Sequence, residues 1–280
     1  MGSATELRDA QRQIWNKFSE GWKAWDAFVM AWLAPAGEAM LDLARLEPGH
    51  AVLDVATGTG EPGLSAAARL PRGSVKAVDV AEDMARAASE NAARRGLGNF
   101  EALSYDGLRL PFPDRSFDAV LCRHGIIFMP DMAAAVRELA RVARPGGVVV
   151  AAYWLAPERN PWASLPARVI GQTLGLTPPP PDAPGVFRCA APGLARRLFA
   201  EAGLKDVRER EVAGEVVFEG TDHFWRFLNE VVAPVASALS KADAAARDRA
   251  RAALERELTA CWKDGRIAFP WAAQATSGVA

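Results

Sequence analysis

At 280 residues the chain is long enough for one large domain, or for one domain with a substantial insertion. Half of it is apolar and 24% charged, the balance of a soluble globular protein, and the formal net charge of -1 excludes electrostatic capture of nucleic acid or of an anionic membrane. Cys122, Cys189 and Cys261 are odd in number and far apart, so they predict neither a disulfide framework nor a metal site, and they point to a reduced, cytoplasmic setting.

The first residues are polar and charged, unlike a secretion signal. From about residue 5 to 33 the pattern predicts one or two helices, with Gly21 as a possible break. Trp15, Phe18, Trp22, Trp25, Val29 and Trp32 recur at steps of three, four and seven and so share one face. That stripe either packs on the body of the domain, or its first aromatics, Trp15, Phe18 and Trp22, form a lid over cofactor and substrate. A helix lying on a membrane fits less well, because the polar face is not strongly basic. A further helix is predicted over 36–46, ended by Pro48-Gly49.

The stretch Val52-Leu-Asp-Val-Ala-Thr-Gly-Thr-Gly-Glu-Pro-Gly63 organises the rest of the chain. Its apolar start predicts a strand buried on both faces. Gly58 and Gly60 predict a tight turn with backbone N–H groups open to a ligand. Pro62 then suits the first turn of a helix over 64–70. The Gly58-x-Gly60-x-x-Gly63 spacing is a weak sign of a dinucleotide site, and its neighbours oppose one. A pyrophosphate wants free N–H groups and no anion at the helix start. Here Glu61 and Asp54 bring negative charge, and Pro62 removes a donor. A cationic cofactor without phosphate suits the loop better, and S-adenosylmethionine is the natural candidate.

The second strand, over 75–80, ends in Asp79-Val80, about twenty residues after the loop, where an acid meets ribose hydroxyls in such folds. Met84 opens the next helix, over 82–95, and is placed either to lie on an adenine face or to pack as an ordinary core methionine. A third strand over 100–104 leads to Asp106-Gly107, an acid and a gap suited to an adenine amino group and ring. A fourth, over 117–122, delivers Arg123-His124-Gly125. A helix over 131–144 stops at Pro145-Gly146-Gly147, and a fifth strand spans 148–153. Alternation of strands and helices predicts a doubly wound, mostly parallel sheet with right-handed crossovers. Asp54, Asp79 and Asp106 fall at or near the carboxyl ends of three different strands. The longest apolar run, 148–156, is too short to cross a bilayer, so no membrane span is predicted.

These motifs resemble the class I S-adenosylmethionine-dependent methyltransferases, and most closely the ubiquinone/menaquinone C-methyltransferase-like group. The resemblance rests on V-L-D-V-A-T-G-T-G-E, A-V-D-V-A-E-D-M, Y-D-G-L-R-L-P-F-P-D-R-S-F-D-A-V and R-P-G-G-V-V-V, in order over residues 50–155. It implies a seven-stranded Rossmann-like sheet whose last strand is antiparallel. It implies that Ala56, Thr57, Gly58, Thr59 and Gly60 hold the methionine part of the cofactor. By the same likeness Asp79 holds the ribose, Asp106 and Gly107 the adenine, and the Arg123 backbone lies near the methionine end. Ala56 departs from the glycine that many members carry.

The chain after Tyr153 turns proline-rich, with a short helix over 162–174, a second over 194–202 and a strand or hairpin arm over 207–218 interrupted near Gly214. Thr221-Asp222 predicts an N-capped helix to about 232. A long charged helix comes next, over 241–262, and a last strand over 266–279. The organisation expected is an N-terminal helical lid (1–47), an α/β core (48–156), a proline-rich lid segment with a helix (157–203), and the last strands with a helical insertion over about 220–265 (204–280). His124 is the candidate base, on the ground that an ordinary imidazole titrates near neutrality. Tyr153 and His223 are further candidates for the acceptor site. The expected activity is methyl transfer to a small, aromatic or hydrophobic acceptor. Two rival readings are a nicotinamide-dependent oxidoreductase on a similar fold and a protein that binds S-adenosylmethionine without transferring methyl. Oligomeric state is left open.

Overall fold

The computed structural model describes residues 3–105, 107–180 and 182–280. Its sheet is built from β1 (Ala51–Val55), β2 (Ser74–Asp79), β3 (Phe100–Ser104), β4 (Phe117–Arg123), β5 (Ala143–Trp154), β6 (Lys205–Phe218), β7 (Trp262–Lys263) and β8 (Arg266–Val279). The long strands lie in the order β3-β2-β1-β4-β5-β8-β6. The first five are parallel, and β8 runs antiparallel between β5 and β6. This is the doubly wound sheet expected, with the strand order reversing between β1 and β4. The two-residue β7 is an addition to it. Asp264 and Gly265, at φ 50° and 76°, turn the chain back so that Lys263 pairs with Arg266, and an Asp-Gly pair accepts such left-handed turns.

Two long helices precede the sheet, α1 (Ala4–Ala24) and α2 (Asp26–Ala44). Ser3 and Glu6 form a reciprocal capping box at the start of α1. The break falls at Trp25, not at Gly21. A side chain at Gly21 would place its Cβ 2.0 Å from the Glu230 carbonyl oxygen, so the glycine serves a close helix crossing. α2 runs through Pro35 and absorbs the separate helix expected over 36–46. By length and composition α2 can cross a membrane, a property the run at 148–156 does not reveal. Half of it is buried, against β5, β8 and β6.

The crossovers carry α3 (Gly63–Ala68), α4 (Glu82–Arg94) and α5 (Met132–Val142). Beyond β5 come α6 (Pro161–Thr173) and α7 (Leu194–Glu201), and β6 passes Gly214 without interruption. There the missing side chain makes room for the Trp271 ring, 2.9 Å from where a Cβ would sit. The insertion holds three helices where two were expected: α8 (Thr221–Glu230), α9 (Ala233–Lys241) and α10 (Ala244–Leu258). Gly220 caps α8 without a side-chain bond, and Asp222 pairs with Arg251 instead. Proline in its first turn starts α9 as a separate helix. Phe218, Phe224, Phe227 and Phe269 are fully buried where this cap meets the sheet, each contributing about 1.5–3 kcal/mol of apolar burial.

Candidate active site

The turn after β1 is held from within. Ala56 and Gly58 adopt left-handed φ of 57° and 56°, and Gly60 lies at 119°. Such a φ costs an alanine about 1–2 kcal/mol. Gly125 makes room for it, since a Cβ there would meet the Ala56 Cβ at 2.6 Å. The Thr57 N–H donates to the Val78 carbonyl (3.1 Å) and the Gly60 N–H to the Thr57 carbonyl (2.9 Å). Gly58 donates to Asp79 Oδ2 (2.9 Å) and Gly63 to Asp54 Oδ2 (3.0 Å). The expectation of open backbone donors is therefore corrected: these four are spent inside the protein, and the loop offers a shaped surface. Little remains there to hold a phosphate.

Asp54 does not line the cavity. It is buried under the loop, where Oδ2 also accepts from Thr57 Oγ1 (2.7 Å), while Oδ1 has no partner among the described residues. Burial outweighs these bonds and pushes its carboxyl up to about 7. Gly60 is likewise a support, packed against Leu64. Asp79 does reach the cavity. Its two oxygens accept from Gly58 and Ala81 N–H, each at 2.9 Å, and burial raises it to about 6. A carboxylate has about four lone-pair sites, and with the Val80 N–H also bonded to it some acceptor capacity is left for a ligand.

One cavity of about 190 Å³ joins this loop to a box of aromatic side chains. Ala56, Thr57, Gly58, Thr59, Asp79, Val80, Met84 and Gly107 line the loop end, with Tyr105 beside them. Asp106 lies outside the described residues. α1 covers the cavity through Arg8, Gln11, Trp15 and Trp22, and Asn16 Oδ1 accepts from Asp83 N–H (3.2 Å) to tie α1 to α4. Trp15 meets Phe128 and Trp22 edge-on, with centroids 5.1 and 6.0 Å apart. Phe18, three residues on, does not line the cavity and packs against Ala233 and Ala236. It belongs to the interface between α1 and α9, which corrects its place in the lid.

Trp32, Trp154, Trp162, Phe227 and Val231 wall the far end. Trp32, Trp154 and Trp162 contact one another at centroid distances of 4.7–5.6 Å. Sequence reasoning singled out none of these as site residues. The signal was strand parity: successive side chains of β5 face opposite ways, so of Tyr153 and Trp154 only one can enter the cavity. It is Trp154. The Tyr153 hydroxyl lies on the far face, 2.9 Å from Thr276 Oγ1. His223 is also outside, its ring on Trp25 and its Nδ1 accepting from Glu219 N–H (3.2 Å).

His124 lines the cavity, stacked at 4.4 Å and 10° on Trp154, at a left-handed φ of 58°. Neither ring nitrogen has a partner among the described residues. Burial, and then the Arg123 guanidinium, push its pKa down to about 3. The ordinary titration invoked for it as a base is thereby lost; the ring stays neutral at physiological pH. Arg123 itself enters the cavity as a side chain rather than as backbone alone. It is flanked by Glu61, Asp54 and Asp26 and lies 3.2 Å from Met30 Sδ. Thr59 Oγ1 and the Nε1 atoms of Trp22 and Trp32 are also buried without partners among the described residues.

A glycine turn closed to phosphate, an acid at the end of β2 with lone pairs to spare and an aromatic chamber beside it define a class I S-adenosylmethionine-dependent methyltransferase, and the chain belongs to that family. The sequence profile of a methyltransferase domain matches residues 52–147. The chain is 33% identical over 195 residues to nocamycin O-methyltransferase of Saccharothrix syringae, covering 66% of this chain and 70% of that one. It is 35% identical to demethylmenaquinone methyltransferase of Geobacillus kaustophilus, over 38% of this chain and about half (46%) of that one. A crystallised methyltransferase from Bacillus halodurans, itself described as putative, shares the fold at TM-score 0.58 and 21% identity, over 87% of this chain and 97% of that one. S-adenosylmethionine is the cofactor, and the residues present fit it. The loop end offers the spare acceptor capacity of Asp79, the unpartnered hydroxyl of Thr59 and the buried thioether of Met84, and the two guanidinium groups that line the cavity are each offset by acids, Arg8 by Asp9 and Arg123 by Glu61, Asp54 and Asp26.

Proposed function

We propose that the chain transfers a methyl group from S-adenosylmethionine to a small acceptor bound in the aromatic box. The observation that carries this is the continuity of the cavity. Asp79 and Met84 at one end and Trp32, Trp154 and Phe227 at the other border the same space. When bound, S-adenosylmethionine supplies a methyl group made electrophilic by its sulfonium. Asp79 would hold its ribose, Thr57 to Thr59 its methionine part, and Met84 with Val80 and Gly107 its base. The aromatic walls orient an apolar, planar acceptor and exclude water. The names of the relatives, which include nocamycin and aklanonic acid methyltransferases, support a small-molecule acceptor for this chain too.

α1, with Trp15 and Trp22, is the lid in this reading. α2 is a core helix rather than a membrane span, because its buried half packs on the sheet. The formal charge of -1 supports an acceptor that is not a nucleic acid, and three unpaired cysteines support a cytoplasmic setting. The test is a screen of phenols, enols and quinols with methyl-labelled cofactor, read by mass spectrometry. Cofactor binding without label transfer to any acceptor would favour the non-transferring alternative, and tight binding of a nicotinamide dinucleotide would favour the oxidoreductase.

A further inference from the structure

We propose that the aromatic chamber binds its acceptor as an oxyanion, an ionised phenol or enol, and that no side chain of the enzyme serves as the base. This rests on the methyltransferase reading of the same cavity. Among the side chains that line the cavity, the indole N–H groups of Trp22 and Trp32, both imidazole nitrogens of His124 and, at the cofactor end, the Thr59 hydroxyl are buried without a partner among the described residues. Indole nitrogen donates only. Trp32 and His124 both contact the ring of Trp154, at 5.6 and 4.4 Å, which places these two unpartnered groups at the same end of the cavity.

The charges around the space point the same way. Among the described residues the cavity is lined by two carboxylates, Glu61 and Asp79, both at the cofactor end. Glu61 is engaged by Arg95 and the Ser65 N–H, and Asp79 by two backbone N–H groups. Arg8 from α1 and Arg123 from β4 bring positive charge, and Asp26 from α2 faces Arg123 without lining the cavity. Tyr105 lies at the cofactor end, and β5, α6, α8 and α9 contribute no ionisable side chain to the lining. A neutral His124 beside a guanidinium gains nothing by taking a proton, because a second cation would be buried next to the first. At the aromatic end no carboxylate among the described residues lines the space, so an anion bound there meets no like charge from the walls. An acceptor that arrives ionised brings the electron pair for the new bond to the methyl carbon. The pair of the broken carbon–sulfur bond stays on sulfur, and no proton remains to be placed.

4-Nitrophenol is a direct probe, since its phenolate is yellow, with 4-nitroanisole as the neutral match. Protein saturated with S-adenosylhomocysteine is added to 4-nitrophenol one pH unit below the phenol's own pKa. The phenolate band is expected to grow, its apparent pKa falling by about one unit, the equivalent of a tenfold preference for the anion. By calorimetry Trp32→Phe is expected to weaken the phenolate about tenfold and leave 4-nitroanisole unchanged. Trp22→Phe is the second variant should Trp32→Phe not fold, and the pKa measurement needs neither. An unshifted or raised pKa, equal affinity for the two probes, or binding of neither would overturn the proposal. S-adenosylhomocysteine titrated alone separates the two levels. Its failure to bind would sink the methyltransferase reading, whereas its binding with an unshifted phenol sinks only the oxyanion.

Discussion

Asp79→Asn isolates the link between the β2 carboxylate and the cofactor. The native group accepts from Gly58 and Ala81 N–H, one on each oxygen at 2.9 Å. Asparagine has one acceptor oxygen, so either a backbone N–H or a ribose hydroxyl loses its partner. Loss of one charge-assisted hydrogen bond costs about 1.5–3 kcal/mol, or roughly ten- to a hundredfold in affinity for S-adenosylhomocysteine. The carboxyl titrates at about 6 in the fold, raised from 3.8 by burial. Wild-type affinity is therefore expected to fall as pH drops through about 6, and the variant's is not; the ligand's own titration cancels between the two proteins. Folding moves the other way. A raised carboxyl pKa favours the folded state below 3.8, and that advantage, about 3 kcal/mol, is gone once pH has risen through 6. The variant is thus expected to melt no lower than wild type at pH 8, which separates weak binding from unfolding. Calorimetry from pH 5 to 8 reads the affinities. Wild-type affinity in Asp79→Asn, with the same pH dependence, would refute the assignment of Asp79 to the ribose.

Asp54 adds a second buried acid, raised to about 7, and so lowers stability as pH climbs towards neutrality. His124 opposes it, losing stability as pH falls from 6.5 towards 3. With Asp79 included, wild type should be about 2 kcal/mol more stable at pH 5 than at pH 7, and Asp54→Asn should erase that difference in denaturant titrations. Gly21→Ala should destabilise by about 1–3 kcal/mol, read as a lower melting temperature, because its Cβ collides with the Glu230 carbonyl 2.0 Å away. It should also weaken cofactor binding by loosening α1, which carries Trp15 and Trp22 over the cavity. Tyr153→Phe removes a hydroxyl that meets Thr276 outside the cavity; turnover should stay as it is, with a stability loss of about 1 kcal/mol.

The cofactor end was legible in the sequence because its requirements are local. A glycine turn, the acid after β2 and the methionine opening α4 each sit a fixed number of residues from a strand end. Folding the sheet brings them together whatever the rest of the chain does. The residues at 56–63 do not reveal where the loop's donors go. Asp54 and Asp79 lie nine and twenty-one residues from their glycine partners, and only the fold shows that these carboxylates occupy N–H groups a phosphate would need.

The acceptor end was not legible, for a different reason. Its walls come from α2, β5, α6 and α8, four segments separated by a hundred residues or more of sequence in some pairs. A stripe of tryptophans at helical spacing reads the same whether it fills a core or lines a chamber. Trp25, at the break between α1 and α2, and Trp32, seven residues on in α2, illustrate this. The Trp25 Nε1 donates to Glu230 at 2.6 Å, as a buried indole in a structural role does. The Trp32 Nε1 is equally enclosed and donates to nothing among the described residues. Leaving a buried donor unpaired costs about 1–3 kcal/mol, a cost that stability alone gives no reason to keep. Trp32→Phe should therefore cost little stability and leave a well-folded protein, while Trp25→Phe, which strands the Glu230 carboxylate, should lower the melting temperature. If thermal melts ranked the two variants the other way, Trp32 would be an ordinary core residue and the chamber would lose its donor.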